Sequence, residues 1–197
     1  MKRKEIQEQR VRKYFIDSAV NLLKTEGLRS VNVRSVADNA GYSFASLYNY
    51  FKDLNELIFE SVKVFVDECN EFVLERADNS LHGKDKIRDI SILYIKYFLE
   101  YPGAYELFFL ERMGNIVNKE DICDLIYNSL NNLCKDEFDY CIKNKIYSSE
   151  SAEIIKKQLN YCVAGMLLFY HNRYNPKTYS EFIATVNEQM NRLLVAN

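Results

Sequence analysis

The stretch Val33-Arg34-Ser35-Val36-Ala37-Asp38-Asn39-Ala40-Gly41-Tyr42-Ser43-Phe44-Ala45-Ser46-Leu47-Tyr48-Asn49-Tyr50-Phe51-Lys52 decides how this chain is read. Asn32 can cap a helix from Val33 to Ala40, Gly41 can end it, and Ser43 can cap a further helix from Phe44 to about Tyr50. Two short helices joined by one glycine-led turn need apolar residues where they pack, a small residue where they approach, and a residue tolerant of positive φ between them. Val36, Ala37, Ala40, Gly41, Tyr42 and Leu47 fall in that order, and Phe51 closes the inner face. This is the spacing of a helix-turn-helix.

With those positions inside, the side chains left for DNA are Ser43, Phe44, Ala45, Ser46, Tyr48, Asn49, Tyr50 and Lys52, with Arg34 on the preceding helix. Asn49 can pair with adenine, and Phe44 and Ala45 can touch a thymine methyl. Ser46, Tyr48, Tyr50 and Lys52 suit phosphate oxygens. No arginine lies on the recognition helix, so bidentate reading of guanine is absent and an A·T-leaning half-site is expected.

Outward from this motif the chain is helical. Only two prolines and six glycines interrupt 197 residues that are 48% hydrophobic and 27% charged, which favours an all-α fold with a real core. Upstream, Val11, Phe15, Ala19, Leu22 and Leu23 form a stripe ending at Gly27, completing a three-helix head. Downstream, Asp53 and Glu56 form a capping pattern for a long fourth helix to about Asn79. Further helices are expected over 85–101, from Pro102 through Phe109, as one long segment over 119–145, then over 152–173 and at the C-terminus, about nine in all. The boundary is placed at 1–52 for a DNA-binding domain and 53–197 for a helical ligand-binding and dimerisation domain.

Charge supports this division. Residues 1–52 hold ten Lys and Arg against five Asp and Glu, the rest sixteen against twenty-three. Lys2, Arg3, Lys4, Arg10, Arg12 and Lys13 suit a segment that lies along phosphates, although a solvated helix face would read the same way. The chain opens with no apolar signal segment, and its longest uncharged run, residues 158–172, is too short and polar to span about 30 Å of bilayer. The expected compartment is the cytoplasm.

Five cysteines without Cys-x-x-Cys pairing, and His82 and His171 alone, give no metal site and no disulfide framework; the thiols read as small buried hydrophobes. Neither a phosphate loop nor a Gly-x-Ser-x-Gly elbow is present, so no enzyme, no catalytic residue and no cofactor is expected.

Residues 37–51, with Gly41, Ser43, Leu47, Tyr48 and Phe51, resemble the TetR family of bacterial transcriptional regulators, as do Ile16-Asp17-Ser18-Ala19 and Glu26-Gly27-Leu28 in the first helix. The specific resemblance covers about residues 10 to 60. Ser46, Tyr50 and Leu54 depart from the threonine, histidine and lysine common in that family. The resemblance implies a homodimer on a palindromic double-stranded operator, and a body that binds a small-molecule effector and releases the repressor. Repressor and activator are not distinguished by sequence, nor is the effector identified. The other reading is a helical dimer that binds a hydrophobic ligand or a protein partner without DNA.

For the effector, the aromatic-rich body offers Tyr94, Phe98, Phe108, Tyr127 and Tyr161, with Glu111 and Arg112 as a pair that could read a charged group. For the dimer, residues 152–173 are apolar nearly all round, and Gly165 would admit a second backbone. Leu159, Val163, Met166, Leu167, Tyr170, Phe182, Val186, Met190 and Leu193 are the expected interface of an intersubunit four-helix bundle, the alternative being core helices of a monomer.

Overall fold

The computed structural model describes residues 2–110 and 119–195, so Glu111 and Arg112 lie outside the described residues. It holds α1 Lys2–Glu26, α2 Val33–Ala40, α3 Phe44–Leu47, α4 Leu54–Arg76, α5 Lys84–Glu100, α6 Pro102–Tyr105, α7 Lys119–Leu133, α8 Lys135–Lys143, α9 Ser149–Arg173 and α10 Tyr179–Val195. No strand occurs among the described residues. A single π-helical turn, Glu106–Leu110, continues α6. The expected all-α fold is what the chain adopts.

Two compact units emerge. The first joins Met1–Glu68 with Tyr101–Ile126. Its core is centred on Phe15, whose ring lies 5.3 Å from Tyr42, 5.9 Å from Tyr50 and 6.3 Å from Phe51. The Ser18 hydroxyl donates to the Val36 carbonyl at 2.8 Å and ties α1 to α2. Gly103 in α6 meets the end of α1 so closely that a Cβ there would stand 2.5 Å from the Leu23 carbonyl oxygen, a contact that only glycine permits.

The second unit joins Cys69–Glu100 with Tyr127–Asn197. Ile87, Ile90, Tyr94, Ile95 and Phe98 of α5 are buried together with Leu130, Phe138 and the inner faces of α9 and α10. Two points depart from the sequence reading. The segment expected as one helix over 119–145 breaks at Cys134, whose φ of −91° and ψ of 0° leave the helical well. Tyr147, between the helices expected over 119–145 and 152–173, is buried and donates its hydroxyl to the Leu194 carbonyl at 2.7 Å, because a tyrosine carries its own polar group into a core that supplies an acceptor.

Candidate nucleic-acid interface

The turn that presents the recognition segment is built by backbone chemistry. Asn32 Oδ1 accepts the Arg34 and Ser35 amides at 3.0 Å each, and Ser35 Oγ accepts the Asn32 amide at 3.0 Å, a reciprocal cap that fixes the start of α2. At its end Gly41 takes φ 76° and ψ 28°, Tyr42 donates its amide to Ala37 at 2.9 Å and Gly41 to Asp38 at 3.2 Å. These two bonds close a Schellman motif, which requires the left-handed conformation that glycine adopts without strain. The chain then reverses into Ser43, whose hydroxyl accepts the Ser46 amide at 3.3 Å.

The recognition helix is shorter than its sequence suggests. Helical structure ends at Leu47, and Tyr48–Tyr50 form a turn held by Asn49 donating to Ser46 at 3.1 Å and Tyr50 to Leu47 at 3.0 Å. Leu47 and Phe51 are the inward anchors, both essentially solvent-free.

Around those anchors, Arg34, Ser43, Phe44, Ala45, Tyr48, Asn49 and Lys52 are exposed. Phe44 and Tyr48 are the most exposed aromatics of the segment, at 57% and 54%. The remaining two candidates differ. Ser46 is half-buried and shares a 2.8 Å hydrogen bond between its Oγ and that of Ser43, and half-buried Tyr50 packs on Phe15. Both can still offer a hydroxyl, but each also supports the local fold.

Not all of the N-terminal charge faces outward. Arg12 turns in over the Phe51 ring at 4.6 Å and pairs with Glu56 at 3.4 Å and Glu60 at 3.6 Å. It is therefore a strut of the head rather than one of the phosphate contacts the sequence suggested. Arg3, Lys4, Arg10 and Lys13 remain exposed on α1. Sequence reasoning also missed a cleft of about 450 Å³ in which Asn49 and Tyr50 meet Glu5, Glu8 and Gln9 of α1. The extension of α1 back to Lys2 is its only sequence signal.

Residues 15–60 match the family model described as bacterial regulatory proteins, tetR family. The head is that of a TetR-family regulator. A curated relative, the fatty acid metabolism regulator protein of Bacillus subtilis (strain 168), is 24% identical over 160 residues, covering 79% of this chain and 76% of its own. Among solved structures, the transcriptional regulator FadR of Bacillus subtilis, in complex with stearoyl-CoA, superposes with a TM-score of 0.73 at 16% identity over 94% of this chain and 99% of that one. The fatty acid degradation regulator FadR of Bacillus halodurans gives 0.70 at 11% identity, covering 91% and 93%. These structural likenesses show that the TetR-like fold extends through the body. Together with the family match on residues 15–60, this gives a TetR-type DNA-binding head carried on a body of TetR-like fold.

The effector and dimer candidates scatter. Tyr94 is buried and shares a 2.6 Å hydrogen bond with Ser129, its hydroxyl pushed upward in pKa by burial; it is a satisfied core residue. Phe98 packs beside it at 4.9 Å, Phe108 lies in the first unit, and Tyr127 and Tyr161 are exposed neighbours on α7 and α9. Of the nine expected interface residues, Leu159, Val163, Leu167, Phe182, Val186 and Met190 are buried inside this chain, because α9 turns that stripe onto its own α5 and α10. Met166, Tyr170 and Leu193 are half-buried. The side of α9 left open instead carries Ile154, Tyr161, Leu168 and Phe169. Among the described residues no helix is long and apolar enough to cross a membrane.

Proposed function

We propose that this chain is a cytoplasmic repressor that binds a palindromic operator as a homodimer and leaves it when a small molecule occupies the body. The observation that carries the reading is the head: a capped α2, a Schellman turn at Gly41, and a short segment that buries Leu47 while exposing Phe44, Tyr48 and Asn49. Such a segment meets base edges in a major groove with its exposed face, as Arg34 and Lys52 take phosphates. Two heads are needed because half-sites on one face of DNA lie about 34 to 36 Å apart, so a second copy converts a weak single contact into a specific one.

The homodimer is supported by the outward side of α9, where Ile154, Tyr161 and Leu168 recur at seven-residue intervals beside Phe169, and by Gly165, whose missing side chain faces open space. The effector proposed is a molecule with a long apolar acyl chain, supported by the likeness to regulators of fatty acid metabolism, one of them solved with stearoyl-CoA.

The test is operator release. Purified protein is used to select bound sequences from random duplexes, and the selected duplex is titrated with stearoyl-CoA. The reading expects a two-fold symmetric, A·T-leaning consensus and release by stearoyl-CoA. A symmetric consensus without release would remove the effector class alone, and failure to select any sequence would remove the DNA-binding reading.

A further inference from the structure

The second unit holds a surface cleft of about 450 Å³ that none of the expected effector residues lines. Its walls come from four helices: Phe72 and Arg76 from α4, Lys96 and Glu100 from α5, Tyr170 from α9 and Tyr179 from α10. Leu93 and Leu99 complete its apolar lining. Pockets that take small organic ligands span about 300 to 1,000 Å³ and combine apolar walls with a few placed polar groups, which is the composition here.

Several walls are held in place before any ligand arrives. Phe72 packs edge-on against Tyr97 at 5.6 Å, and Tyr170 stacks on Phe182 at 4.2 Å. The Arg76 guanidinium lies 4.0 Å over the Phe72 ring and donates to the Phe72 carbonyl at 3.1 Å, with the Glu75 carboxylate at 3.3 Å. Lys96 is the contrasting group: it lines the cleft and has no ion-pair partner among the described residues. Arg76 is already matched by Glu75, and Glu100 lies on the same cleft, so Lys96 is the lining cation left without an ion-pair partner among the described residues. A lysine without a partner favours an anionic group placed against it, and aromatic and leucine walls favour an apolar ring behind that group.

We propose that this cleft binds a small organic monoanion with an aromatic or alicyclic body, its anionic group at Lys96 and Arg76 and its ring against Phe72, Tyr170 and Tyr179. The site goes beyond the operator-release reading and does not depend on it.

Isothermal calorimetry of the full chain with naphthoate as the probe tests the site. Naphthalenemethanol serves as a neutral control, and Lys96→Met and Arg76→Met as variants checked for unchanged helix content. Saturable binding of one naphthoate per chain is expected, weakened about two- to fivefold by Lys96→Met, the range an exposed ion pair can carry, with the alcohol weaker than the anion. Lys96 serves as the primary variant because it has no partner whose loss would disturb the fold; Arg76→Met is expected to act in the same direction. Absence of saturable binding up to about 1 mM, equal affinity in Lys96→Met, or equal affinity for the alcohol would each overturn the assignment. Operator binding is measured separately: naphthoate that binds here without releasing DNA leaves this site standing and says nothing against the repressor reading.

Discussion

Arg12 and Lys13 are neighbours of the same charge with opposite duties. Arg12 is held between Glu56, Glu60 and the Phe51 ring, so Arg12→Ala is expected to lower stability by about 1 kcal/mol, read as a lower Tm, with little change in how DNA affinity responds to salt. Lys13 is exposed, and Lys13→Ala is expected to leave Tm alone and weaken every duplex, shallowing the salt slope by about one if it meets a phosphate. The thiols divide in the same way. Burial lifts Cys134 to about 12, so at pH 8 its thiolate is about one part in ten thousand, and burial likewise raises Cys69 and Cys141. Cys123 is exposed. Iodoacetamide followed by peptide mass spectrometry is expected to mark Cys123 first in the folded protein, with Cys134 labelled only on unfolding.

At the scale of elements, α2 and the turn after it were legible because their chemistry is local. A capping asparagine, a glycine that must adopt positive φ and a second capping serine are each written within a few residues. Gly41→Ala is expected to cost about 1 kcal/mol although its surroundings are open, since the strain lies in the backbone rather than in a clash. What was not legible was the end of α3 at Leu47 and the orientation of α9. Both depend on tertiary packing: Tyr50 turns toward Phe15, and α9 shows apolar residues on every side, so no periodicity tells its inner stripe from its outer one. The two sides make separable predictions. Leu159→Ala opens a cavity in the chain's own core and is expected to cost about 2 to 5 kcal/mol, seen as a fall in Tm. Phe169→Asp, on the exposed side, is expected to shift sedimentation toward a monomer with secondary structure retained; an unchanged dimer would move the interface elsewhere.

Taken over the whole molecule, charge and aromatic content set what the chain can meet. The net charge of −2 conceals a head that is positive by five and a remainder negative by seven, which concentrates nucleic-acid attraction at the motif. Ligand-contacting residues were not legible because fifteen tyrosines and twelve phenylalanines serve the core as readily as a pocket, and only the fold separates Tyr94, hydrogen-bonded and buried, from Tyr179, exposed beside a cleft. The central claim is that Gly41 and the segment after it read DNA, and the most direct measurement is duplex affinity as a function of salt for wild type and for Tyr48→Ala and Asn49→Ala on the selected operator. The account predicts steeply salt-dependent binding by the wild type. Asn49→Ala is expected to lose about 1 to 3 kcal/mol on the selected operator while binding unrelated duplex nearly as before, and Tyr48→Ala, at a phosphate contact, to weaken operator and unrelated duplex alike. Operator affinity unchanged in both variants, with fold intact, would contradict it.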